Sequence, residues 1–80
     1  MKRQKIITYF RGNGKRTSCT LTDYQLETLD ALAEFLGLTR NQYLRYATED
    51  MPEGANASAY IRDEIIARLR KMLSMTGVEL

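Results

Sequence analysis

Apolar residues recur at helical spacing along most of this chain, and in one short stretch they alternate instead. Leu26, Leu29, Leu32, Ala33 and Leu36 form the first helical stripe. Thr22 precedes it as an N-cap, and Gln25 completes a capping box with Thr22. Leu21 and Leu26 have the spacing of a hydrophobic staple, and Gly37 supplies the stop. A second helix repeats this grammar. Thr39 caps, Gln42 closes the box, and Leu38 staples to Tyr43. Its apolar face holds Tyr43, Leu44, Ala47 and Met51, and Pro52 and Gly54 end it after about three turns. A third helix is expected from about Ser58 to Met75, capped by Asn56 or Ser58. Ile61, Ile65, Leu69, Met72 and Leu73 make its stripe, and Glu64 and Arg68 form an i,i+4 pair. Thr76–Leu80 is expected to fray.

The alternating stretch is Arg16–Leu21. Thr17, Cys19 and Leu21 fall on one side, and Arg16, Ser18 and Thr20 on the other. The expected fold is therefore mainly α with one short β-strand. A lone strand leaves its backbone N–H and C=O groups unpaired, so it needs a partner. One partner is the same strand of a second copy, antiparallel across a two-fold axis. The other is an intrachain hairpin of Lys5–Phe10 against Lys15–Thr20, turning at Gly12-Asn13-Gly14. Because Ile6-Ile7-Thr8-Tyr9-Phe10 does not alternate cleanly, pairing between two copies is the preferred expectation. The core of that intertwined homodimer would hold Thr17, Cys19, Leu21, Leu26, Leu29, Leu32, Leu36, Tyr43, Leu44 and Ala47.

Composition narrows the choices. Eighty residues make one domain at most, and so small a core often needs a disulfide, a metal or a second subunit. Cys19 is the only cysteine, which rules out an intrachain disulfide and suits a reducing compartment. No histidine is present, and no cysteines or carboxylates cluster at metal-ligand spacing, so no metal or cofactor is expected. No apolar run is long enough for a membrane span, and the start lacks the features of a signal peptide. The expectation is a cytoplasmic protein. An enzyme is disfavoured, because no nucleophile–base pair or phosphate-cradling glycine loop stands out. Tyr43, Tyr46 and Tyr60 read as packing or rim residues, and Cys19 as a small core residue.

Charge is distributed unevenly. Lys2, Arg3, Lys5, Arg11, Lys15 and Arg16 give the first 16 residues +6 with no acid, whereas the remainder carries −4. A basic leading segment on an acidic body suits an oriented approach to a polyanion.

Several segments together resemble the ribbon-helix-helix family of bacterial, plasmid and phage repressors, the Arc, MetJ and CopG type. They are Lys15-Arg-Thr-Ser-Cys-Thr-Leu-Thr22, then Leu26, Leu29, Leu32 and Ala33, then Leu36-Gly-Leu-Thr-Arg-Asn41 with Tyr43-Leu-Arg45. The resemblance spans about Lys15–Met51. It implies a homodimer whose intermolecular two-stranded antiparallel ribbon enters the DNA major groove. Arg16, Ser18 and Thr20 would then read bases. The start of the second helix, Thr39, Arg40 and Asn41, would hold phosphates, as its free amides and dipole also favour. Lys2, Arg3, Lys5, Arg11 and Lys15 would add phosphate contacts. The expected organisation is a basic arm over 1–15, a ribbon-helix-helix domain over 16–51, and a C-terminal helical extension over 52–80. The expected partners are double-stranded DNA and a second copy, with assembly to a tetramer as a further option. The leading function is a sequence-specific repressor that occupies an operator. The alternatives are an antitoxin whose residues 55–80 bind a toxin, and a relaxosome accessory protein in plasmid transfer.

Overall fold

A computed structural model describes residues 3–75. Lys2, expected to touch phosphate, and the expected frayed end at Thr76–Leu80 lie outside the described residues. The chain forms β1 (Gln4–Phe10), β2 (Arg16–Thr22), α1 (Asp23–Phe35), α2 (Arg40–Ala47) and α3 (Ala57–Met75). It is a two-stranded antiparallel sheet followed by three helices, a topology compatible with a ribbon-helix-helix arrangement.

The ribbon differs from the expectation in one decisive respect. β2 pairs with β1 of its own chain, in a register that sets Ile6 opposite Thr20, Thr8 opposite Ser18 and Phe10 opposite Arg16. The turn is closed by Gly14 N–H donating to the Arg11 carbonyl at 2.9 Å, with Gly14 at φ +82°. The Asn13 side-chain oxygen accepts from Lys15 N–H at 2.9 Å and braces the loop. A turn followed by a left-handed glycine matches the twist of a hairpin. The segment Gln4–Phe10, expected to belong to a detached arm, is thus a structural strand. Tyr9 is buried and Ile7 half-buried on the inner face, while Ile6, Thr8 and Phe10 point outward. Apolar side chains on both faces are what hid the alternation.

The other edge of β2 is occupied at its Thr20–Thr22 end. Thr20 N–H donates to Ser58 Oγ at 2.8 Å, and the Arg62 guanidinium donates to the Thr20 carbonyl at 2.8 Å. Thr22 N–H is taken by Gln25 Oε1 at 2.9 Å. β1 takes one edge of β2, and α3 takes the other at Thr20, so these backbone groups find partners within one chain.

The inward face of β2 is as the alternation indicates, with Cys19 and Leu21 buried and Thr17 half-buried. The core expected between two subunits closes inside one. Cys19, Leu21, Leu26, Leu29, Leu32, Tyr43, Leu44 and Ala47 join Tyr9 from β1 and Ile61 and Ile65 from α3. Leu36 lies outside this cluster and is exposed, because it sits at the C-cap of α1. That cap is a Schellman motif: Leu38 N–H donates to the Ala33 carbonyl, Gly37 N–H to the Glu34 carbonyl, and Gly37 has φ +73°. Both expected capping boxes form, at Thr22–Gln25 and Thr39–Gln42.

α2 is shorter than its apolar pattern suggests. The chain leaves the helix at the Thr48 cap, yet Met51 is still buried. Asn56 caps α3 by accepting from Ala59 N–H at 3.1 Å, which frees Ser58 to bind the strand. α3 contacts β2, α1 and α2, so it is a layer of the fold and not an appendage.

Candidate nucleic-acid interface

The sheet has a helix-covered face and a face turned to solvent. The solvent face is built by two alternating sets, Ile6, Thr8 and Phe10 from β1 and Arg16, Ser18 and Thr20 from β2. Antiparallel pairing places each β1 residue beside its β2 partner. Thr8 Oγ1 and Ser18 Oγ are 3.2 Å apart and share a hydrogen bond at the centre of the face. Ile6 is 75% exposed and Phe10 57% exposed, and they stand on either side of this hydroxyl pair. Arg16 is exposed, and its guanidinium is unengaged among the described residues. Thr20 is half-buried, since α3 holds its backbone.

Neither strand contains an acidic residue. The face combines hydroxyls that donate and accept, one free guanidinium and two apolar side chains. Such a set can bond base edges and contact a thymine methyl group. Ile6, Thr8 and Phe10 were not among the residues singled out from the sequence. They follow only once the hairpin register is known.

The expected phosphate contacts divide into groups. Arg3 is exposed beside the base of the hairpin, where its carbonyl accepts from Asp23 N–H at 3.2 Å. Lys5 lies 3.7 Å from Asp23, and Lys15 donates to Glu53 at 2.6 Å, both in exposed pairs that water weakens. The Lys15 ammonium holds the Glu53 carboxyl below its usual pKa. Arg11 is turned inward: its guanidinium donates to the carbonyls of Thr48 at 3.0 Å and Met51 at 2.8 Å. It closes the open end of α2 and fastens the hairpin turn to it.

Thr39, Arg40 and Asn41 stand at the start of α2, in the helical layer, and the solvent face of the sheet lies opposite that layer. Thr39 accepts from Gln42 N–H at 3.2 Å. Arg40 is clamped by both carboxylate oxygens of Asp30, at 2.8 and 2.7 Å. That bond lowers the Asp30 pKa and raises that of Arg40. Asn41 is exposed. The strand residues Arg16, Ser18 and Thr20 are therefore brought together with β1 partners, and not with the α2 start.

The buried titratable groups belong to the core. Burial raises the pKa of Cys19, Tyr9 and Tyr43. Among the described residues no group of three His, Cys, Asp or Glu side chains is placed to hold a metal ion, and no helix is long and apolar enough to cross a membrane. No family model, curated protein or solved structure matches the chain.

Proposed function

We propose that this protein binds double-stranded DNA by laying the solvent face of the β1–β2 hairpin in the major groove, and that it acts as a repressor by occupying its site. The observation that carries this reading is the face itself. It is two strands wide, free of acids, and presents the Thr8–Ser18 hydroxyl pair between Ile6 and Phe10, with Arg16 beside Phe10. A two-stranded ribbon fits the major groove, where arginine pairs with guanine and hydroxyls bond several bases. In the resemblance to ribbon-helix-helix repressors the ribbon comes from two chains; here β1 and β2 of one chain would supply both strands. The basic residues Arg3, Lys5 and Lys15 at the two ends of the hairpin would follow the phosphates.

The packing of α3 supports this reading over the antitoxin alternative. Ile61 and Ile65 are buried in the chain's own core, so α3 has a docking site without a protein partner.

The test is selection from a library of random-sequence DNA duplexes, followed by titration of the enriched duplex against an unselected one. Arg16→Ala is expected to weaken binding to the enriched duplex by about 5- to 150-fold and to the unselected duplex much less. Equal loss on both would leave phosphate contact alone. Absence of enrichment, with no binding to duplex DNA at low salt, would overturn the proposal.

A further inference from the structure

The solvent face of the hairpin has a direction. Successive rows across it set Gln4 beside Thr22, Ile6 beside Thr20, Thr8 beside Ser18, and Phe10 beside Arg16. Gln4 belongs to the same outward set as Ile6, Thr8 and Phe10, and it is exposed. Its carboxamide is unengaged among the described residues. Thr22 beside it is committed, because its hydroxyl caps α1. The row at the open end of the hairpin therefore offers a free amide. The row at the turn end offers a free guanidinium, that of Arg16. Ile6 and the Thr8–Ser18 hydroxyl pair stand between them.

The two ends suit different base pairs. A glutamine amide bonds N6 and N7 of adenine, and arginine bonds O6 and N7 of guanine. The order along the face is amide, apolar, hydroxyl, guanidinium, and it has no two-fold symmetry. A ribbon built from the same strand of two copies repeats every side chain across its axis, and so reads a palindrome. Here β1 and β2 differ in sequence, and the face carries Gln4 at one end and Arg16 at the other. The acids beside the two ends are held, Asp23 by Lys5 and Glu53 by Lys15. From Gln4 to Phe10 the strand rises about 20 Å, at ~3.3 Å per residue. Base pairs are roughly 3.4 Å apart along the axis and farther apart along the groove, so the face covers about four to six of them.

We propose that one hairpin reads a non-palindromic element of about four to six base pairs in a fixed orientation, with adenine at Gln4 and guanine at Arg16. This rests on the DNA-binding reading, and adds to it the class of site and the direction in which the hairpin lies on it.

The duplex enriched by selection provides the test. It is altered one base pair at a time and titrated with the unaltered protein, Gln4→Ala and Arg16→Ala, with circular dichroism on each variant as a check of folding. The unaltered protein is expected to lose about 5- to 150-fold in affinity when the base pair at either end contact is changed. Gln4→Ala is expected to remove that preference at one end only, and Arg16→Ala at the opposite end only. Relaxation by either variant at two positions related by a two-fold axis would overturn the proposal. So would relaxation by both variants at one common end, or none from Gln4→Ala. Each of these results leaves duplex binding itself in place. Failure of the DNA-binding reading looks different, because no duplex is then enriched, and this inference falls with it.

Discussion

At the scale of single residues, Thr48 links parts of the chain far apart in sequence. Tyr9 OH donates to Thr48 Oγ1 at 3.1 Å, and Thr48 Oγ1 donates to the Leu44 carbonyl at 2.6 Å. Both side chains are buried, so strand β1 is hydrogen-bonded to the end of α2 where water does not compete. Thr48→Val keeps the volume and removes the hydroxyl, leaving Tyr9 OH buried without its acceptor. The expected cost is about 1–3 kcal/mol, read from urea unfolding. Tyr9→Phe in the same background should recover part of the loss, because it removes the stranded hydroxyl. Asp30 illustrates the opposite regime. Arg40 lowers its pKa by a direct hydrogen bond, so the pair stabilises the fold above the ordinary carboxylate range. That contribution is lost as pH falls through the lowered folded-state value. Both partners are more than a third exposed, so it amounts to less than about 1 kcal/mol. Asp30→Asn should therefore reduce stability slightly at neutral pH and flatten its decline in acid, as followed by thermal unfolding at several pH values.

At the scale of elements, the helices were legible in the sequence because their signals are local. Thr22, Gln25, Thr39 and Gln42 satisfy the first amides of their own helices, and Gly37 reverses the chain at the end of α1. None of these needs a tertiary neighbour to be recognised. The inner face of β2 was legible for the same reason. β1 was not, because its sequence reads apolar on both sides. Only the turn at Gly14 and the pairing with β2 decide that Tyr9 faces in and Phe10 faces out. Half of the candidate interface, Arg16, Ser18 and Thr20, follows from alternation. The other half, Ile6, Thr8 and Phe10, depends on register, which no periodicity within β1 specifies. The position of α3 was hidden for another reason. Its stripe is amphipathic whatever it packs on, and its use of Ser58 and Arg62 to occupy the edge of β2 is a tertiary event. Ile61 is fully buried there, so Ile61→Ala should cost about 2–5 kcal/mol. A loss near zero in denaturant titration would mean that α3 does not share the core.

At the scale of the whole molecule, the unit that folds is larger than the segment that resembles the ribbon-helix-helix family. The segment Lys15–Met51 contains β2, α1 and α2 but neither β1 nor α3. Cut out alone, it loses Tyr9, Ile61 and Ile65 from the core and exposes both edges of β2. A core that small does not offset the conformational entropy of ordering the chain. As a monomer the fragment is expected to be largely unfolded, with weak helical signal in circular dichroism. The full chain should instead unfold in one cooperative step, since the hairpin and all three helices share one apolar cluster. The same fragment also probes what β2 can do when freed. With β1 and α3 gone, its only source of backbone partners is another copy of itself. If the fragment gains structure as its concentration rises, and sediments as a dimer, then β2 retains the capacity to pair between chains. In the full protein β1 and α3 would then hold that pairing back. If it stays unfolded at every concentration, the ribbon of this protein is an intrachain hairpin only.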